Sequence, residues 1–307
     1  MWDKIQIFGF RALWNPEIII ITLLLILLYY LFTGPLKHKA GLSEGPTKGQ
    51  KISMYSAIIL FYITKGSPVY LLSHIILMAH MAQMAVFYLL VPILVIRGIP
   101  LEWWKKVFTT PIVGHFFKLF TRPILALVSF NVMFSLYHVP FVLDFTKTSN
   151  LIHWPVTLLL FILAFCMWWP IFTPIKEQMV VKPLFKILYI YGAGMLLTPA
   201  CALIIFADTP LYATYSEPDA FMTALALCVP PGILDGMNFG GPQVFMNIPL
   251  VYDQQAAGII MKVAQEFIYG AIIARIFYGW FRSERKRGID PLPQDLQTAT
   301  PSVVERG

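Results

Sequence analysis

From Ile18 to Phe32 the chain carries no charged side chain and is built almost wholly of Ile, Leu and Tyr. With its flanks, from Glu17 to Gly34, such a run is long enough to cross a hydrocarbon layer of about 30 Å as a helix. Asn15, Pro16 and Glu17 precede the apolar stretch and no small-residue cleavage site follows it, so it reads as a retained span and not as a signal peptide. The rest of the sequence agrees. Hydrophobic residues make up 58% of the 307 residues, charged residues only 13%, and the mean hydropathy is +0.69; a soluble domain carries roughly a quarter charged residues.

Apolar runs bounded by charge, Pro and Gly number seven, at about 17–34, 52–66, 68–96, 123–143, 151–173, 184–207 and 256–281. They predict an all-α, multi-pass membrane helix bundle of about seven transmembrane helices. Residues 1–287 form its single domain and 288–307, rich in Pro and polar residues, a disordered cytoplasmic tail. The second run is short and ends at Lys65, Gly66, Ser67 and Pro68, but charge bookkeeping keeps it as a span. Lys37, Lys39, Lys48 and Lys51, then Arg97, Lys105, Lys106, Lys118 and Arg122, then Lys176, Lys182 and Lys186, then Arg282, Arg285, Lys286, Arg287 and Arg306 all fall on one side. The other side receives Lys4, Arg11, Lys65 and Lys147, and the segment from Asp208 to Ala257 has no Lys or Arg at all. The basic side is therefore expected to be cytoplasmic, with the N-terminus outside and the C-terminus inside. Residues 101–123, which mix Trp and Phe with lysines, suit the headgroup layer.

The net charge of +7 comes from residues interleaved with the spans, so it reflects the lipid bilayer as partner and not nucleic acid. Cys166, Cys201 and Cys228 are far apart and form no Cys-x-x-Cys, which leaves neither a disulfide framework nor a zinc or redox motif. No nucleotide loop, Gly-x-Ser-x-Gly or His-Glu-x-x-His occurs, so hydrolysis is not supported and the chain is not expected to be an enzyme.

Ionisable and metal-liganding groups inside a membrane are costly and mark candidate sites. In a continuous third helix, His74, Met78 and Met81 recur on one face, with His80 and Met84 as a neighbouring pair. Imidazole with thioether is a soft ligand set that favours copper, above all Cu(I). His138 at the end of the fourth run and His153 at the start of the fifth fall at similar depth toward the outer surface. Asp253, Gln254 and Met261 bring polar groups and a thioether to the same layer from the seventh run, either as groups orienting the imidazoles or, for Asp253, as a helix cap. The structural alternative for the whole set is ordinary packing, because Met fills apolar cores and a buried His can bond a nearby carbonyl.

The opening Met1 to Trp14, His80-Met81-Ala82-Gln83-Met84, Tyr137-His138-Val139-Pro140, Trp168-Trp169-Pro170 and Asp253-Gln254-Gln255-Ala256-Ala257-Gly258, in that order, resemble the CtaG family of caa3-type cytochrome c oxidase assembly factors in its Gram-positive form. The resemblance implies a multi-pass protein of the bacterial plasma membrane that is needed for active caa3 oxidase, with copper delivery to the catalytic subunit as the usual proposal. It implies His74, His80, His138 and His153 as the site histidines and Asp253 and Gln254 at the last span. Its partners would be the oxidase subunits and a copper donor protein. Two departures stand out: Met84 replaces a second His, and Val156-Thr157 replace a Glu-His pair. The expected ligands are therefore His74, His80, Met81, Met84, His138 and His153, with Asp253, Gln254, Met78 and Met261 around them. A metal-free assembly scaffold and a copper transporter are the alternatives.

Overall fold

The computed structural model describes residues 2–180, 182–237 and 239–287; the tail expected at 288–307 lies outside them. All regular structure among the described residues is helical. After short turns over Trp2–Trp14 come α1 (Pro16–Thr33), α2 (Lys48–Gly66), α3 (Pro68–Ile75), α4 (Leu77–Met84), a π-helical stretch (Ala85–Leu90) and α5 (Val91–Gly98). Then follow α6 (Leu101–Thr109), α7 (Pro111–Phe120), α8 (Pro123–Tyr137), α9 (Pro140–Thr146), α10 (Asn150–Phe172), α11 (Pro183–Ile205), α12 (Pro218–Leu225) and α13 (Leu250–Arg287). Seven of these helices open on a proline, whose fixed φ suits the first helical position and whose missing N–H is not needed there.

Five stretches are long and apolar enough to cross a membrane alone, and seven when the bent pairs α2–α3 and α7–α8 each count as one. The seven-span expectation stands, but one boundary moves. The expected third span, 68–96, is not one helix. α3 leaves α2 at an angle of only 46°, so the Ser67-Pro68 step bends a single span, and the interruption falls instead at Ile76, whose backbone is extended (φ −128°, ψ 137°). The physical cause is capping. Leu77 and Met78 start a new helix whose amides have no partner in their own chain segment; they donate to the two carboxylate oxygens of Asp253 at 2.7 and 3.2 Å.

α7 meets α8 at 83°. With α6 it carries the aromatic and basic residues expected in the headgroup layer. α1 is largely exposed along its apolar length, as a lipid-facing helix must be, and is pinned by Tyr29, whose hydroxyl donates to Gly98 O at 2.9 Å. Gly98 allows α5 to approach α2: a Cβ there would lie 2.8 Å from the Met54 backbone nitrogen.

Two apolar cores result. The larger runs through α4, α5, α8, α10, α11 and α13, around Tyr88, Phe130, Trp168 and Trp169. The smaller joins the N-terminal turns to α3 and the 206–249 segment through Phe8, Leu71, Phe221 and Phe245. Lys4 ties the two parts of this cap together by donating to Val244 O at 2.8 Å.

Candidate functional site

Each expected histidine is held where its span meets this cap. His74 occupies the last turn of α3, His80 the middle of α4, His138 the residue that ends α8, and His153 the first turn of α10. All four are buried, with at most 4% of any of them exposed. The rings fall into two pairs. His74 and His153 have centroids 5.7 Å apart, His80 and His138 6.3 Å apart.

His74 Nδ1 lies 3.0 Å from Tyr70 O and His138 Nδ1 2.7 Å from Phe134 O. A carbonyl only accepts, so in both rings Nδ1 carries the proton and Nε2 keeps a lone pair. That Nε2 has no hydrogen-bond partner in either ring; neither has Nε2 of His80 nor Nδ1 of His153. Leaving a buried polar atom unpaired costs about 1–3 kcal/mol. Four such nitrogens in one region are therefore open to a further partner, a water molecule or an ion.

A cavity of about 10 Å³ lies among His74, His80, His153, Met84, Lys65 and Tyr137, enough for about one water molecule or one ion. The other expected residues sit differently. His138 does not line the cavity, and its ring lies beside that of His80. Met81 and Met261 are core residues, while Met78 lines a separate cavity with Ile76 and Met246. Asp253 is spent on the α4 amides. Gln254 binds Leu211 N at 2.7 Å and Thr209 O at 3.2 Å, which fastens the outer segment to α13. Both sit at the site's border as positioning groups, without a hydrogen bond to an imidazole. His38 and His115 are exposed.

Among the described residues no group of three or more His, Cys, Asp or Glu side chains is close enough to hold a metal ion. The donor chemistry thus fits a soft ion taken by an imidazole pair, with Met84 beside it, and does not fit a closed cage of three or four such ligands.

Two lysines complete the site in a way the sequence reading missed. Lys65 and Lys147 were counted only among the charges of the outer side, yet they are 7% and 1% exposed. Lys65 lies over the Phe87 ring at 4.7 Å and near Trp154 and Tyr70. Lys147 Nζ donates to Tyr215 Oη and, at 3.5 Å, to Ser73 O; Tyr215 Oη donates to the same carbonyl at 2.6 Å. Burial pushes the Lys147 ammonium down to about 7. Tyr70, Phe87, Trp154 and Tyr215 were the available signal, since cations held away from water rest on ring faces.

No curated protein and no solved structure matches the chain. The model for the cytochrome c oxidase caa3 assembly factor family (Caa3_CtaG) matches residues 27–283, a stretch that takes in every residue of the site from His74 to Met261. The chain therefore belongs to the cytochrome c oxidase caa3 assembly factor family.

Proposed function

We propose that this membrane protein assists assembly of a caa3-type oxidase by holding Cu(I) in transit on its buried imidazole pairs and releasing it to the oxidase catalytic subunit. It does so without catalysing a reaction of its own. The observation that carries the reading is the set of four buried histidines, each with an unpartnered ring nitrogen. In His74 and His138 the backbone carbonyl fixes the tautomer, so the lone pair needs no reorganisation to accept a metal. Lys65 beside the cavity sets a Coulombic preference for a monovalent over a divalent cargo. Pairs are also suited to transfer, since an ion held by few ligands is easily passed on. In this reading the histidine end faces outside, the basic end faces the cytoplasm of a bacterial plasma membrane, and a copper donor protein loads the site.

A second reading, a metal-free scaffold for oxidase subunits, is favoured by the absence of any group of three or more acidic, His or Cys ligands among the described residues. Copper content of the reduced, detergent-purified protein decides between them, measured beside a variant with His74, His80, His138 and His153 all changed to Ala. Near-stoichiometric copper that is lost in the folded variant supports transfer. Copper in neither protein removes the copper reading and leaves the scaffold.

A further inference from the structure

The end of the bundle away from the histidines carries a cleft of about 790 Å³ between α5, the loop before α11, the start of α11 and the second half of α13. Its lining includes three cations, Arg97, Lys186 and Arg275, and no carboxylate. Arg97 is next to last in α5, Lys186 is in the first turn of α11, and Arg275 is two-thirds along α13. Three helices thus bring one positive charge each to the same cleft. Among the described residues none of the three is in an ion pair.

The remaining wall is apolar and lies deeper in the membrane. Leu90 and Ile93 precede Arg97, and Phe267, Ile268 and Ile272 precede Arg275. At 1.5 Å rise per residue, these residues extend the cleft by about 10 Å toward the histidine end. Ala271 and Gly279 keep it open; a Cβ at Gly279 would meet nothing within 4 Å. A cationic rim over an apolar slot of membrane depth has the form of one ligand class, an amphiphile with an anionic head.

We propose that this cleft binds one anionic phospholipid, with its headgroup phosphate held by Arg97, Lys186 and Arg275 and an acyl chain lying along Leu90, Ile93 and Ile268. Charge complementarity selects the occupant. A zwitterionic lipid returns a positive charge to a rim that already has three, and a helix from a partner protein would have to bring acidic residues into the bilayer, where they are costly. Basic pockets between transmembrane helices take anionic headgroups by the same physics.

The test is native mass spectrometry of the detergent-purified full chain titrated with dioleoyl phosphatidylglycerol or dioleoyl phosphatidylcholine. Wild type should retain one phosphatidylglycerol in preference to phosphatidylcholine. Each cation near an anionic lipid is worth about fivefold, so the R97Q/K186Q/R275Q variant should lose roughly a hundredfold in phosphatidylglycerol affinity. A271W, which fills the slot and leaves every charge in place, should also weaken retention. Equal retention of the two lipids by wild type overturns the proposal, even if the triple variant fails to fold. So does a folded triple variant that binds as well as wild type. Displacement of the lipid by inorganic phosphate, with A271W without effect, overturns it in favour of a simple phosphate site.

Discussion

The carboxylate of Asp253 accepts the backbone amide of Leu77 at 2.7 Å across 176 positions of sequence, and its second oxygen accepts Met78 at 3.2 Å. The last span thereby supplies the N-cap of the helix that opens another span, where Ile76 has no side chain able to do so. A negative charge there also meets the positive end of the α4 dipole.

Replacing Asp253 by Ala should therefore lower stability by about 1–2 kcal/mol, the usual cost of a lost cap, and Asp253→Asn, which keeps one acceptor, should cost less. Thermal unfolding in detergent reads the difference. Equal losses in the two variants would show that the amide bonds do not set the effect.

The two imidazole pairs predict a pattern of coupling. If copper binds by pairs, His74→Ala and His153→Ala together should weaken binding little more than either alone. His74→Ala with His138→Ala should be close to additive, because neighbours couple and separated sites do not. Titration with a Cu(I)-competing chelator measures both, and additivity within a pair would argue against pairwise binding.

Lys147 should make stability depend on pH. Its value in the fold is about 7, against an ordinary 10.5. Between these values the unfolded chain holds the extra proton, so stability rises with pH through that window and is lost as pH falls toward 7. Denaturation in detergent at pH 7 and pH 10 should show the rise, and Lys147→Met should diminish it.

Burial pushes the Cys228 thiol up to about 12, and Sγ lies 3.2 Å from Leu225 O. Since the thiolate is the nucleophile, Cys228 should alkylate on the order of a thousandfold more slowly at pH 8 than in the unfolded chain. A background lacking Cys166 and Cys201 isolates its rate with iodoacetamide. Fast labelling of the folded protein would show that the cap over this residue opens.

Gly258 brings α13 against α11. A Cβ there would lie 2.6 Å from Ile205 Cγ1 and 3.2 Å from Cys201 O. Small residues at such crossings allow close backbone approach in membranes. Gly258→Val should cost about 1–3 kcal/mol by overpacking, read by the same thermal unfolding.

Much of this fold was legible in the chain because prolines mark where helices begin and uninterrupted apolar runs mark where they cross. The four histidines were legible as a set, since His74, His138 and His153 each stand near one end of a run and His80 follows His74 in the same one. Their pairing was not. It depends on the break at Ile76, and that break depends on Asp253, which no local pattern links to it. Lys65 and Lys147 were misread for a related reason. Counting charges assumes that each sits in water, whereas these two rest against Phe87 and Tyr215 from other parts of the sequence. The π-helical winding at Ala85–Leu90 likewise had no sequence signature.

That winding sets the angular phase between the two ends of one span. Each residue turns a helix by about 100°, so the wider turn over Ala85–Leu90 fixes how far Ile93 and Arg97 are rotated from His80 and Met84. Inserting a single residue into α5 ahead of Arg97 would leave the imidazoles in place and swing Arg97 by about 100° out of line with Lys186 and Arg275. The histidine end and the basic end are thus keyed to one another by helical register, and a one-residue insertion in the α-helix between them would be read at the far end of the molecule.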